Sequence, residues 1–81
     1  MNIEEIKESI KNYLLENVPN QGLDLSYDTD LLNEWFIDSL GTINTILFLE
    51  EKFGLTIKRS DINADNFTSI NTIANYVSSN M

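Results

Sequence analysis

The segment from Ser39 to Phe53 constrains the fold most, because it fits one long α-helix with two apolar sides, and Gly54 predicts its end. A helix that is apolar almost all round is usually buried at the centre of a domain. A helix with one core face and one exposed face can instead dock a partner. Periodicity alone leaves both interpretations open. One side consists of Thr42, Ile46, Leu49 and Phe53, and the other of Leu40, Ile43 and Leu47.

Helical spacing recurs near both ends of the chain. The first helix is predicted to end near Asn17, because Pro19 pushes the residue before it out of helical geometry. A brief third helix is predicted over 61–66, and Thr68 or Ser69 can cap a last helix. The apolar residues that carry this spacing are Ile3, Ile6, Ile10 and Leu14 in the first helix, and Ile70, Ile73, Ala74 and Val77 in the last. In addition, Asn2 and Glu5 fit a capping pair at the start.

The stretch from Pro19 to Asp38 shows no firm periodicity over about 20 residues, which is long for a domain of 81 residues. Loops of this length are often functional or contain a short helical turn. Asp24, Ser26, Asp28 and Asp30 imitate the alternating ligands of a calcium loop. However, the sixth position is Thr29 rather than glycine and the twelfth is Trp35 rather than glutamate, so these residues predict a solvated turn. The pattern as a whole predicts one all-α domain over residues 1–81.

Composition narrows the classes of function. With 5 basic and 13 acidic residues the formal net charge is −8, which argues against nucleic acid and anionic membranes as partners and favours basic protein surfaces. The chain has no cysteine and no histidine, which excludes disulfides, thiolate chemistry and imidazole bases from the polypeptide. No apolar run approaches a membrane span, and charged residues near the start argue against a signal peptide. We therefore expect a cytoplasmic monomer.

Ser39 is the candidate functional residue, because it stands where the long loop meets the second helix. A serine hydrolase would need a base beside it, and the chain has neither a histidine nor the glycine pattern of a nucleophile elbow. A helix N-terminus favours an anionic group on this serine, and Asp38 is a natural N-cap. An acidic interaction module that is never modified is an alternative.

The sequence around Ser39 resembles the second helix of the acyl carrier protein family and the exit from that helix. The similar segments are Ile37-Asp38-Ser39-Leu40-Gly41-Thr42-Ile43 and Leu49-Glu50-Glu51-Lys52-Phe53-Gly54-Leu55-Thr56-Ile57. Further along the chain, Asp61-Ile62, Phe67-Thr68-Ser69-Ile70 and Ile73-Ala74-Asn75-Tyr76-Val77 look like the third and fourth helices of that family. The resemblance covers about residues 30–78. It implies a small four-helix bundle with a long first loop and a short third helix.

The resemblance also implies a function. Ser39 would carry a 4'-phosphopantetheine arm, Asp38 would help hold the metal at the transferase that attaches it, and the chain would catalyse nothing itself. The partners would be a phosphopantetheinyl transferase, a ligase or acyltransferase that loads an acyl group or amino acid, and an enzyme that accepts the cargo. The second helix would dock these partners through Leu40, Ile43, Leu47, Glu50 and Glu51.

Two features distinguish this chain within the resemblance. Gly41-Thr42 after the motif is closer to D-alanyl carriers and stand-alone carriers of specialised pathways than to the housekeeping fatty-acid carrier, so an aminoacyl or peptidyl carrier is an alternative to an acyl carrier. Many carriers have a glycine two or three residues before the Asp-Ser pair, whereas this chain has Glu34-Trp35-Phe36 there. The aromatic pair either packs on the core or fills the approach to the arm.

Overall fold

The computed structural model describes residues 2–17, 24–35 and 37–81. Within these ranges the chain forms four α-helices and no strand: α1 is Ile3–Asn17, α2 is Ser39–Phe53, α3 is Ala64–Phe67 and α4 is Ile70–Asn80. A 3₁₀ turn, Arg59–Asp61, precedes α3. The all-α prediction with a long first loop and a short third helix is confirmed. The predicted bounds of the third helix, 61–66, were wrong. Residue 61 is the last residue of the 3₁₀ turn, and α3 begins at Ala64.

Each long helix begins at a capping residue. The Asn2 side chain accepts a hydrogen bond from the Glu5 amide at 2.9 Å, which confirms the predicted pair at the start of α1. At α4, the Ser69 hydroxyl accepts a hydrogen bond from the Thr72 amide, and the Thr72 hydroxyl accepts one from the Ser69 amide, which is a capping box. At the end of α2, Gly54 takes the left-handed conformation with φ 67°, so a side chain there would be strained.

The core lies mainly between α1, α4 and the inner face of α2. Helical spacing places three buried side chains on α1, and α4 packs closely against them. Trp35 is only 1% exposed and belongs to this core, which decides between the two roles predicted for it. Phe36 and Pro19 lie outside the described residues. The largest fully buried side chains are Trp35, Ile6, Ile10, Leu14, Leu31, Leu49, Ile70, Ile73 and Val77.

Residues 31–35 of the long loop form a helical turn that Asp30 caps. The Asp30 carboxylate accepts hydrogen bonds from the amides of Leu32 and Asn33, each at 3.0 Å, and from the Asn33 side chain at 2.9 Å. These bonds, first of all that from the Asn33 side chain, lower the pKa of Asp30 below its ordinary value of 3.8. The stability that the cap contributes is therefore present above pH 3.8 and is lost as pH falls through the lower, folded-state pKa.

The same loop is fastened to α1 and to the start of α4. The Leu31 amide donates to the Thr68 carbonyl at 2.7 Å, and the Asn71 amide donates to the Tyr27 carbonyl at 3.0 Å. The ammonium groups of Lys7 and Lys11 lie 5.7 and 5.8 Å from the centre of the Tyr27 ring, within cation–π range. These contacts fix the segment that leads into α2. Over the described ranges, no helix has the length and apolar character needed to cross a membrane.

Candidate functional site at the start of helix α2

Ser39 is the first residue of α2, and its side chain is exposed. Asp38 before it is the N-cap in extended geometry, with φ −91° and ψ 178°, and its Oδ1 accepts a hydrogen bond from the Gly41 amide at 2.6 Å. One residue earlier, the Ile37 amide donates to the Leu31 carbonyl at 2.8 Å. The serine is therefore held between an anchored loop and a capped helix, and its hydroxyl is accessible to an enzyme.

The electrostatics of this helix end favour an anion on Ser39. The first backbone bond of the helix runs from the Thr42 amide to the Asp38 carbonyl at 2.9 Å, so the amides of Ser39 and Leu40 have no acceptor within the helix. Asp38 at the N-cap is acidic, but the first turn of α2 itself contains no acidic residue. Free amides and the positive end of the helix dipole stabilise a phosphate at such a position. The residues present thus fit a phosphodiester on the serine oxygen.

Helix α2 has one buried face and one exposed apolar face, so it is not buried all round. Ile46 and Leu49 are 8% and 0% exposed, whereas Leu40, Ile43 and Leu47 are 66%, 54% and 56% exposed. We call the last three residues the aliphatic strip. Thr42 and Phe53, predicted for the core side, are only half-buried. The strip starts immediately after Ser39 and runs along the helix for two turns.

The two glutamates at the end of α2 have different surroundings. Glu51 is exposed, whereas Glu50 is half-buried and its Oε2 accepts a hydrogen bond from the Ile57 amide at 2.9 Å. Glu50 therefore fastens the extended link after Gly54 to the helix. The sequence predicted only a docking role for Glu50 and not this bond, because the two groups meet only after the chain reverses direction at the glycine.

A groove of about 190 Å³ lies beside Ser39, between α2, the long loop and the segment around α3. Thr42, which lines it, is one turn beyond the serine on the same side of the helix. The lining is mostly apolar and consists of Leu32, Thr42, Ile62, Asn63, Ala64 and Phe67. The groove was not predictable from the sequence, since these residues come from three separate parts of the chain.

Comparison with known protein families finds one that matches this chain. Residues 8–77 match the family model described as the phosphopantetheine attachment site, which spans most of the chain. The chain belongs to this family. Proteins of the family bind a 4'-phosphopantetheine prosthetic group, and this chain is a phosphopantetheine-attachment carrier domain. Carrier proteins are generally not catalytic.

Curated relatives of this carrier domain include D-alanyl carrier proteins. The one from Bacillus velezensis is 25% identical over 71 residues, which cover 88% of this chain and 91% of the relative. The one from Streptococcus suis is 29% identical over 69 residues, covering 85% and 86% of the two chains. The identity is modest, but both matches span nearly the whole domain.

Two solved structures share the fold. A mitochondrial acyl carrier protein of Toxoplasma superposes with a TM-score of 0.76 at 24% identity, over 98% of this chain and 90% of that one. A chain in the crystal structure of the Bradyrhizobium japonicum glycine:carrier protein ligase complexed with glycylated carrier protein gives a TM-score of 0.69 at 26% identity, over 90% and 95% of the two chains. The carrier fold predicted from the resemblance is confirmed.

Proposed function

We propose that this carrier domain holds its 4'-phosphopantetheine arm on Ser39 and shuttles thioester-bound acyl or aminoacyl groups between enzymes without catalysing a reaction itself. The observation that carries this proposal is the exposed serine at the capped start of α2, inside the matched family region. When bound, the arm supplies the thiol that a thioester requires and that a chain without cysteine lacks.

The residues around Ser39 support attachment by an external enzyme. The chain has no histidine that could activate the hydroxyl, so a phosphopantetheinyl transferase has to do so. Asp38 stays exposed while its Oδ1 caps the helix, so it can orient Ser39 and also take part in binding the metal of the transferase. The free amides of Ser39 and Leu40 then stabilise the charge of the phosphodiester.

We further propose that the cargo is an amino acid or a short specialised acyl group. The D-alanyl carrier relatives and the glycylated carrier neighbour support a small aminoacyl cargo. Gly41-Thr42 after the motif points the same way. The groove beside the serine, at about 190 Å³, has room for a small group carried on an arm that folds back against α2.

An assay of cargo loading tests this proposal. We expect the phosphopantetheinylated protein to be charged by an amino-acid-adenylating ligase, with glycine and D-alanine as the first substrates to try, and to gain the corresponding mass. The control is the malonyl transferase of fatty-acid synthesis acting on the same sample. Efficient malonylation without charging by any adenylating ligase would overturn the aminoacyl assignment.

Partners are proposed to dock on the aliphatic strip and on the acidic end of α2. These partners are the transferase, the loading ligase or acyltransferase, and the enzyme that accepts the cargo. Exposed aliphatic side chains next to the attachment point supply apolar anchors, and Glu51 supplies a negative rim. Glu50 adds negative charge to the same end of the helix while it holds Ile57.

Charge reversal at Glu51 should slow docking. We expect Glu51→Lys to lower the association rate constant with a basic partner surface a few-fold at low salt, because long-range steering weakens. The difference should shrink as salt screens the charges. Glu8→Lys, an exposed position on α1, is the matched control. Glu50→Lys is a poorer test because it also breaks the bond to Ile57. A salt-independent defect at Glu51 would contradict electrostatic steering.

The alternative of an unmodified acidic interaction module makes a different prediction for the mass of the protein. After incubation with coenzyme A and a phosphopantetheinyl transferase, a carrier gains the mass of the arm, whereas an unmodified module does not.

The high negative charge supports a monomer, since charge of one sign keeps proteins apart. We also propose that this monomer lies in the cytoplasm and does not bind nucleic acid.

A further inference from the structure

The segment 58–66 forms one wall of the groove beside Ser39, yet it contributes no side chain to the buried core. Ile57 before it and Phe67 after it are both 7% exposed, and every residue between them is exposed or half-buried. Ile62, Asn63 and Ala64 line the groove from this side. Segments with few buried apolar contacts open at low free-energy cost. Hydrogen bonds rather than core packing must therefore fix the position of this wall.

Tyr76 on α4 ties the wall to that helix, through a side-chain bond to Asp61 and a backbone hydrogen bond with Lys58. The Tyr76 hydroxyl on α4 donates to Asp61 Oδ2 at 2.7 Å, and the Asp61 carbonyl accepts from the Asn66 side chain at 2.9 Å. Burial and then the neighbouring Asp61 carboxylate raise the pKa of Tyr76, so the hydroxyl keeps its proton at neutral pH. A chain of contacts thus runs from α4 through the 3₁₀ turn to α3.

The far end of the wall is held differently. The Leu31 amide donates to the Thr68 carbonyl at 2.7 Å, and Phe67 is buried with its ring centre 5.8 Å from that of Tyr76. These contacts survive substitution of a single hydroxyl. The start of the wall follows buried Ile57, whose amide donates to Glu50, so the Tyr76–Asp61 bond holds the part of the wall between these two anchors.

We infer that the Tyr76–Asp61 hydrogen bond is a latch that sets the shape of the groove beside Ser39, and that Tyr76 is a positioning residue for the cargo. This inference rests on the proposed function, because it requires an arm on Ser39 that folds back and brings its thioester to the groove. With the latch closed, Ile62 and Ala64 stay against the groove and shield the thioester. With the latch open, the wall moves away and water reaches the thioester, which it splits into a free acid and the free thiol of the arm.

Hydrogen exchange of the unmodified protein tests the latch itself. We expect Tyr76→Phe to keep the fold and to speed exchange of the Ile62, Asn66 and Phe67 amides roughly tenfold or more, as loss of a hydrogen bond to a charged group predicts. Exchange in the middle of α1 should not change. Tyr27→Phe, which removes a hydroxyl elsewhere, is the matched control. Unchanged exchange in 58–67 would overturn the latch.

A second measurement tests the positioning role. In the charged protein, Tyr76→Phe and Asp61→Ala should shorten the lifetime of the aminoacyl thioester severalfold at a temperature where all variants are folded. Asp61→Asn should restore most of it, because the amide oxygen can still accept the tyrosine proton. The double variant should be no worse than either single one. Faster exchange with an unchanged thioester lifetime would show a purely structural bond and overturn the inference. Failure of the proposed function appears separately, as absence of the arm from the wild-type protein.

Discussion

Replacing Ser39 with alanine is expected to abolish attachment of 4'-phosphopantetheine completely. The variant loses the acceptor oxygen but keeps the Asp38 cap and the Thr42 bond that start α2, so the fold should remain intact. Intact mass after incubation with coenzyme A and a phosphopantetheinyl transferase should rise for the wild type and stay constant for the variant. Peptide mapping of the wild type should place the arm on Ser39, and circular dichroism should show equal helix content in both proteins.

The other serines serve as internal controls for this result. Ser69 also caps a helix, but it is buried and its hydroxyl accepts from the Thr72 amide at 3.2 Å, so a transferase cannot reach it. Ser60 is exposed but follows no aspartate. Ser60→Ala should therefore be modified as fully as the wild type. An arm that persists in Ser39→Ala would show that the attachment site was assigned to the wrong residue.

The features that the sequence predicted are those with local causes. The start of α2 follows from Asp38, which caps a helix with its own side chain, and the end follows from Gly54, which takes a left-handed conformation that other residues avoid. The Asn2–Glu5 pair is likewise confined to one helical turn. The exposed serine between loop and helix therefore needed no knowledge of the tertiary structure.

The features that the sequence did not predict depend on contacts between distant residues. The groove needs Leu32, Thr42 and Ile62 to meet, and the bond between Glu50 and Ile57 needs the chain to turn back after Gly54. The sequence left two roles open for Trp35, and the turn capped by Asp30 directs it into the core. The exposure of the aliphatic strip is also non-local, because it depends on which face of α2 the other helices cover.

Leu47 and Leu49 lie two residues apart on α2 and differ only in burial. Replacing each of them with alanine therefore distinguishes an effect on stability from an effect on docking. Leu49 is 0% exposed, so Leu49→Ala should leave a cavity and lower the free energy of unfolding by about 2–5 kcal/mol. A domain of 81 residues has only about 4–12 kcal/mol in total, at roughly 0.05–0.15 kcal/mol per residue, so the variant could unfold partly at 37 °C. Thermal and denaturant melts measure this difference.

Leu47→Ala should have the opposite effect: it should change stability little and weaken docking. Its side chain is 56% exposed, so truncation should change the free energy of unfolding by less than about 1 kcal/mol. If the aliphatic strip is the docking surface, loss of this anchor should weaken transfer of the arm or the cargo about tenfold, the effect of removing a residue that contributes more than 1 kcal/mol to an interface. Ile43→Ala should behave in the same way. Both substitutions remove the same atoms from a leucine. The docking assignment would be contradicted if Leu47→Ala melted as early as Leu49→Ala, or if it transferred cargo at the wild-type rate.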